Sequence, residues 1–477
     1  MRTRLSVFSD FANSLFPHEL EYLITVQNFS KPLNLKILQQ IYSNNTSTSG
    51  AKKNYDEKVD KRTYSYLKNW ISETLQKIDV DYFFDWLIST EKKILTDVVV
   101  PSDEVDILRN INQMQPTNYN FIRFYELLQY YRDYLMVRSR TKHNKVVTDY
   151  LDFNREQYFR HKNLNITLDN ATARIVNKSE LLPADKANIE KLLSDTFSDN
   201  YLDGYTRYRA VVRLTIFYYN NREFDKQAII YQHLDELLKT PLFYSKRILS
   251  NYYANRAMMH SKLKELADAE KYGYLSIQNK NSDYLFYLIN LCGVLIKQEK
   301  NSEALKLMRQ SIPDLKNTNN NYYKIGFSTF YIRTYIANKQ IDKAVSYASQ
   351  YFDTYRKEIF EHRWHLYCTT YLYALINAEK YDKVISICKR YKLVQKEKLR
   401  IEHPDYLPII ENYYYLAEYM EGIINQDRFI NSVIKSTKPM KNSSYRSGRM
   451  LEMIDEISFF LPNEMKIVKN EFFTDSE

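Results

Sequence analysis

The sequence predicts an all-α chain assembled from pairs of amphipathic helices, and three observations lead there. Glycine and proline are scarce, 7 and 11 in 477 residues, whereas β-rich and α/β chains need more of both for turns and crossovers. Apolar residues recur at helical spacing along most of the chain. Within residues 247–312, two similar hairpins follow one another, RILSNYYANRAMMHSKLKELADAEKYGYLSIQNK and SDYLFYLINLCGVLIKQEKNSEALKLMRQSI. In each, an amphipathic helix leads through a short polar turn into a second helix that opens with a small residue.

Composition narrows the function classes. Hydrophobic residues make up 44% of the chain, enough to bury a sizeable core and to exclude wholesale disorder. There are 44 Tyr against 3 Trp. Tyrosine suits thin helical layers, packing its ring while its hydroxyl reaches water or a partner; the A/T-rich codons of Tyr, Asn, Lys and Ile account for the same excess. A net charge of +10 admits an anionic partner, but the basic residues are spread rather than massed. Cys292, Cys368 and Cys388 stand far apart without a CxxC, as buried free thiols in a reducing compartment do. Asp10 and Asn13 interrupt MRTRLSVFSDFANSLFP, so it does not read as a signal peptide. No apolar run approaches about 18 residues. A soluble, cytoplasmic chain without a membrane partner is expected.

Residues 1–115 read as an N-terminal helical domain. Helical periodicity covers 18–28 and 33–43, and a polar stretch, NNTSTSGAKKN, separates them from KRTYSYLKNWISETLQKI. There Tyr64, Leu67, Ile71, Leu75 and Ile78 form one apolar stripe flanked by Trp70. DYFFDWLISTEKKIL follows, with Asp81 expected as its N-cap. After Pro101, Ser102 is expected to cap a helix whose first turn holds Asp103 and Glu104. The gap before the third helix is too long for a helix-turn-helix reader. Lys52, Lys53, Lys58, Lys61 and Arg62 read as a solvated loop and helix start.

Residues 116–200 read as irregular hairpins with a basic connector at 138–145, and a helix that stops before Pro183. Residues 201–434 carry the regular hairpins. Residues 435–449 read as a basic linker, and the rest of 435–477 as capping helices.

The regular part resembles the tetratricopeptide-repeat family, whose unit is two antiparallel helices in about 34 residues. Tyr253, Ala257 and His260 fall on its first-helix positions, with Ala269 and Ser276 on the second. The next unit offers Leu288, Cys292 and Leu295, then Ala304 and Ser311. Tyr331, Ile332 and Tyr335 precede Ala344, and Tyr371, Leu372 and Leu375 precede Val384. With Gln227 before them, the equivalents Gln227, Ala269, Ala304, Ala344 and Val384 are 42, 35, 40 and 40 residues apart. Only one interval is near the family length, and the family's Trp, Gly and Pro positions are lost. The resemblance covers about half of the chain and implies a right-handed superhelical solenoid of antiparallel hairpins.

It also implies a concave groove lined by first helices. Asn255 and Asn290 then share a groove slot where an amide could clamp a peptide backbone. Lys262 and Lys297 share another, and Arg213 and Arg333 fall on the same face. Together they point to an acidic or carboxylate-bearing peptide or protein.

Nothing in the sequence assembles a reaction centre. His362 and His365 in EHRWHLY would share a helix face near Glu361, but no third ligand motif accompanies them. Phosphate-cradle and nucleophile-elbow patterns are missing. No enzymatic activity, cofactor or metal is expected. The expected function is an interaction scaffold or regulatory adaptor. One alternative is a nucleic-acid-associated regulator that uses the basic N-terminal region, with the repeats as sensor. Another is a structural subunit that uses the Tyr-rich faces.

Overall fold

The computed structural model describes residues 5–46, 53–176, 182–402, 406–442 and 444–474. Among them the only regular elements are twenty-six α-helices and one short 3-10 segment, with no strand. The chain divides into two units, residues 1–281 and 282–477. The division falls between the two hairpins whose sequences are most alike.

One turn recurs along both units. Arg222, Lys264, Glu299, Lys339 and Glu379 each end a helix in the left-handed region, with φ between 56° and 64°. The next residue returns its N–H to a carbonyl five positions back: Glu223 to Tyr218, Glu265 to His260, Lys300 to Leu295 and Gln340 to Tyr335 at 2.9 Å, and Lys380 to Leu375 at 3.0 Å. That bond satisfies a carbonyl the helix end leaves open, and the second helix starts at once. Ser139, with Arg140 bonded to Leu135 at 3.0 Å, makes the same turn.

The fourth residue of each second helix then faces the first. Gln227, Ala269, Ala304, Ala344 and Val384 are all buried. A small side chain lets the two backbones approach, and Cys292 Sγ reaches the Ala304 carbonyl at 3.8 Å. Gln227 is the large exception, and its Nε2 donates to the Thr215 carbonyl at 3.2 Å.

In the second unit, Tyr284–Lys297 packs on Asn321–Ala337, which packs on Trp364–Asn377, which packs on Ile409–Met420. The helices Asn301–Gln310, Ile341–His362 and Tyr381–Tyr391 pack against the first three of these in turn. Gln426–Thr437, Ser444–Ser458 and Pro462–Thr474 complete the core with Met440, Met450, Met453, Ile454, Ile457 and Met465, all buried. Methionine fills irregular gaps between helices that do not repeat.

The first unit has two cores. Leu87, Ile107, Phe121, Phe124 and Tyr131 belong to one, within residues 83–158. The other joins the N-terminal helices to the hairpins at Arg222 and Lys264. A buried polar network fastens helix Pro17–Val26 there. His18 Nδ1 is hydrogen-bonded to Tyr253 Oη at 2.6 Å, and its Nε2 meets Asp235 at 3.1 Å. Arg256 donates to Asp235 at 2.8 Å, Tyr252 donates to it as well, and Tyr244 donates to the buried Glu19 at 2.6 Å. Burial alone would raise the Asp235 pKa. Hydrogen bonds from His18 and Tyr252, and the charges of His18 and Arg256, hold it well below the usual range.

Several expectations change. The N-cap before Tyr82 is Asp79, which accepts from Asp81 N–H at 2.9 Å; Asp81 stands in the first turn. The helix at Pro101 starts one residue before Ser102, and Asp103 accepts the Val100 N–H at 3.1 Å. Apart from residue 443, which is not described, residues 435–449 are helical rather than an open linker, because Met440 and Met450 are drawn into the core. Residues 47–52, Lys52 among them, and 177–181 lie outside the described residues.

Candidate functional site

The left-handed turns give a ruler for the expected groove residues. Arg213, Asn255 and Asn290 each stand nine residues before such a turn, Lys262 and Lys297 two, and Arg333 six. In the next two hairpins the nine-before slot holds Phe330 and Thr370, so the asparagine does not run on.

Arg213, Asn255 and Lys262 belong to the first unit, and Asn290, Lys297 and Arg333 to the second. Arg213 is engaged: its Nη1 donates to the Arg209 carbonyl at 2.9 Å, its Nε to Thr172, and its Nη2 approaches Asp169 at 3.4 Å. Asn255 donates to Asn251 at 2.9 Å and lines a crevice of about 10 Å³ with Tyr208, Val212 and Tyr252, room for about one water molecule. Asn290 Nδ2 is buried without a hydrogen-bond partner among the described residues, a donor that a ligand carbonyl would satisfy.

Arg333 stands in a cleft of about 260 Å³ within the second unit. Consecutive first helices supply its wall: Ile296, Arg333, Thr370, Tyr373 and Tyr413, with Glu456 across from them on Ser444–Ser458. Arg333 Nε donates to Thr370 Oγ1 at 3.1 Å, and its guanidinium lies 5.5 Å from the Phe330 ring centre. No hydrogen bond within the described residues engages its terminal nitrogens, so the fork that reads carboxylates stays available. Tyr373 and Tyr413 stack 6.0 Å apart, and Tyr413 donates to Glu456 at 3.1 Å. Burial, then the Glu456 charge, pushes the Tyr413 hydroxyl pKa well up, so it acts as a donor. The cleft presents a guanidinium and apolar and aromatic walls, with the Glu452 and Glu456 carboxylates on its opposite side.

His362 and His365 do not share a helix face. The helix breaks at Arg363, and His365 Nε2 meets the buried Glu397 at 2.7 Å. Glu397 also accepts the Ile410 and Glu411 N–H groups at 3.0 and 2.9 Å, capping the helix Ile409–Met420. In the first unit His260, Glu265 and Asp268 hold ligand atoms within 4.8 Å of one another. His260 is already paired with Glu265 at 2.6 Å. Cys292 and Cys368 are buried, which pushes their thiols up to about 12; thiols so protonated are poor nucleophiles.

The sequence reading missed a basic surface. KRYKLVQKEKLR, residues 389–400, holds six Lys and Arg, and its one acid is the buried Glu397. Lys389, Arg390, Lys392 and Lys396 are exposed, and Arg356 donates to Tyr391 at 3.1 Å beside them. A charge count over twelve-residue windows would have found it. The expected N-terminal cluster is weaker, since Asp56, Glu57 and Asp60 stand among Lys53, Lys58, Lys61 and Arg62.

No protein-family model matches the chain, and no curated protein matches it.

Proposed function

We propose that the chain is a non-enzymatic interaction scaffold, a helical-repeat stack of tetratricopeptide-like character that binds an acidic protein segment in its cytoplasmic setting. The carrying observation is Arg333, whose terminal nitrogens are unengaged at a cleft walled by consecutive first helices. An incoming carboxylate there meets a charge-assisted donor, and Tyr373 and Ile296 add apolar contact. The right-handed superhelical arrangement belongs to this reading, as does the use of Asn290 as a backbone clamp.

A photo-crosslinking residue in place of Tyr373, in cells that make the chain, tests it. A partner should be captured from position 373 and not from the exposed position 229, and Arg333→Ala should remove the adduct. Equal capture from both positions, or an adduct indifferent to Arg333→Ala, rejects the reading.

A second reading, nucleic-acid contact, draws on the run at 389–400. Four exposed cations within eight residues are the footprint a phosphate backbone selects. Retention of single-stranded RNA or DNA should fall steeply with salt, and more gently in Lys389→Glu/Lys392→Glu. A slope changed by Lys58→Glu/Lys61→Glu instead would move the contact to the N-terminal region.

A further inference from the structure

Apolar side chains stand exposed at the ends of two neighbouring hairpins in the first unit. The turn between Val80–Leu95 and Pro101–Gln113 carries Leu95, Val98 and Val100, which are 60%, 58% and 47% exposed. The turn between Phe121–Val137 and Thr141–Phe153 carries Met136 and Val137, 63% and 82% exposed. Arg138 ties the two turns together with a 2.7 Å ion pair to Asp97, and Arg140 meets Glu104 at 2.5 Å. One exposed aliphatic residue needs no explanation, but five on adjoining tips form a patch.

The charges around the tips are one-sided. Residues 92–104 and 136–145 hold six Lys and Arg against three carboxylates. Each carboxylate is occupied: Asp97 by Arg138, Asp103 by Lys93 at 2.7 Å, and Glu104 by Arg140 and by His143 at 3.1 Å. Lys92, Lys142 and Lys145 are exposed and make no ion pair among the described residues. The result is an exposed apolar pair of turns with these exposed, unpaired lysines close by in sequence. A bilayer accepts such side chains at the boundary between headgroups and acyl chains, and anionic headgroups attract the lysines.

We propose that the two tips form a peripheral contact site for an anionic lipid surface. Leu95, Val98, Val100, Met136 and Val137 enter the headgroup boundary, and Lys92, Lys142 and Lys145 meet lipid phosphates. No helix among the described residues is long and apolar enough to cross a membrane, and contact of this kind requires none. The expectation of no membrane partner rests on the lack of a long apolar run, which a surface contact does not need. The site is separate from the Arg333 cleft, and neither depends on the other.

The test uses the full chain with vesicles of phosphatidylcholine alone or mixed with phosphatidylserine. Cosedimentation should occur with the mixed vesicles only. Lys142→Glu/Lys145→Glu should weaken it by about tenfold or more, and Leu95→Asp/Val137→Asp should abolish it with the circular dichroism unchanged. An environment-sensitive fluorophore on Val137→Cys should shift to the blue on binding; the native Cys292, Cys368 and Cys388 are buried, so labelling is selective. Failure to bind mixed vesicles at low salt overturns the proposal. So does equal binding by the Leu95→Asp/Val137→Asp variant, or a dimer in light scattering that this variant dissolves.

Discussion

Helix Pro17–Val26 reaches the hairpins of the first unit through a network of charged and hydroxyl groups, whereas Ser444–Ser458 reaches its neighbours in the second unit mainly through methionine and isoleucine, with the hydrogen bond from Tyr413 to Glu456 at its edge. At the first joint His18, Asp235, Tyr253 and Arg256 are linked through hydrogen bonds, and Glu19 accepts from Tyr244. At the second, Met450, Met453, Ile454 and Ile457 fill space, and the buried Asn412 reaches Met453 Sδ at 3.6 Å. A polar joint admits one register, because any shift strands a buried donor or charge. An apolar joint of methionines tolerates small shifts. The two fastenings should therefore fail differently when cut.

The largest effect is expected at Asp235. Asp235→Ala leaves His18, Tyr252 and Arg256 without their shared acceptor, a loss of about 3 kcal/mol or more. Hydrogen exchange of residues 17–26 should rise far more than that of the second unit. Unchanged protection would show that the network does not hold the joint. At the other joint Met453→Ala should cost about 2–3 kcal/mol through the cavity it opens, while Met453→Leu should cost less than about 1.5 kcal/mol. Urea melts of the full chain compare the pair, and equal losses would mean that the seam is as shape-specific as the polar joint.

Acid should separate the joints further. The Asp235 pKa is depressed in the folded chain from its ordinary 3.8, so its contribution is present above that value and is lost as pH falls through and below it. Protection of residues 17–26 should drop below about pH 4 and flatten in that window in Asp235→Asn, with Met450 and Met453 contributing no such component. A wild-type drop retained in full by the variant would move the acid response to another group.

The smallest effect belongs to the shared turns. Lys339→Gly relieves a side chain held at φ 56° and should stabilise the second unit by about 0.5 kcal/mol, the left-handed penalty being partly offset by the freer unfolded chain. Lys339→Val should destabilise it. A glycine variant no more stable than the parent in thermal melts would mean that lysine at this turn is held by contacts of its own.

How far these features could be read from the sequence follows from the range of the interactions involved. The phase of the hairpins was legible, since Ala269, Ala304 and Ala344 mark where second helices meet first ones. The turns were not, because Arg, Lys and Glu occupy a conformation that glycine usually announces. The polar joint was hidden by distance, with His18 lying 217 residues from Asp235 and 235 from Tyr253. At the candidate site, the family resemblance singled out Arg333 but not Thr370 or Tyr413, whose roles depend on how successive hairpins rest on each other. The His362–His365 reading failed on a single residue, Arg363, where the backbone leaves the helix.

The recurrent left-handed turn also bears on how the chain acquires its shape. Each hairpin closes over two or three residues, so its two helices meet with almost no chain to gather in between. Such local pairing carries a low entropic barrier. Hairpins should consequently form early and independently, each a seed on which neighbours settle. The slow event is then the homecoming of residues 17–26, which must find His18's partners more than two hundred positions downstream.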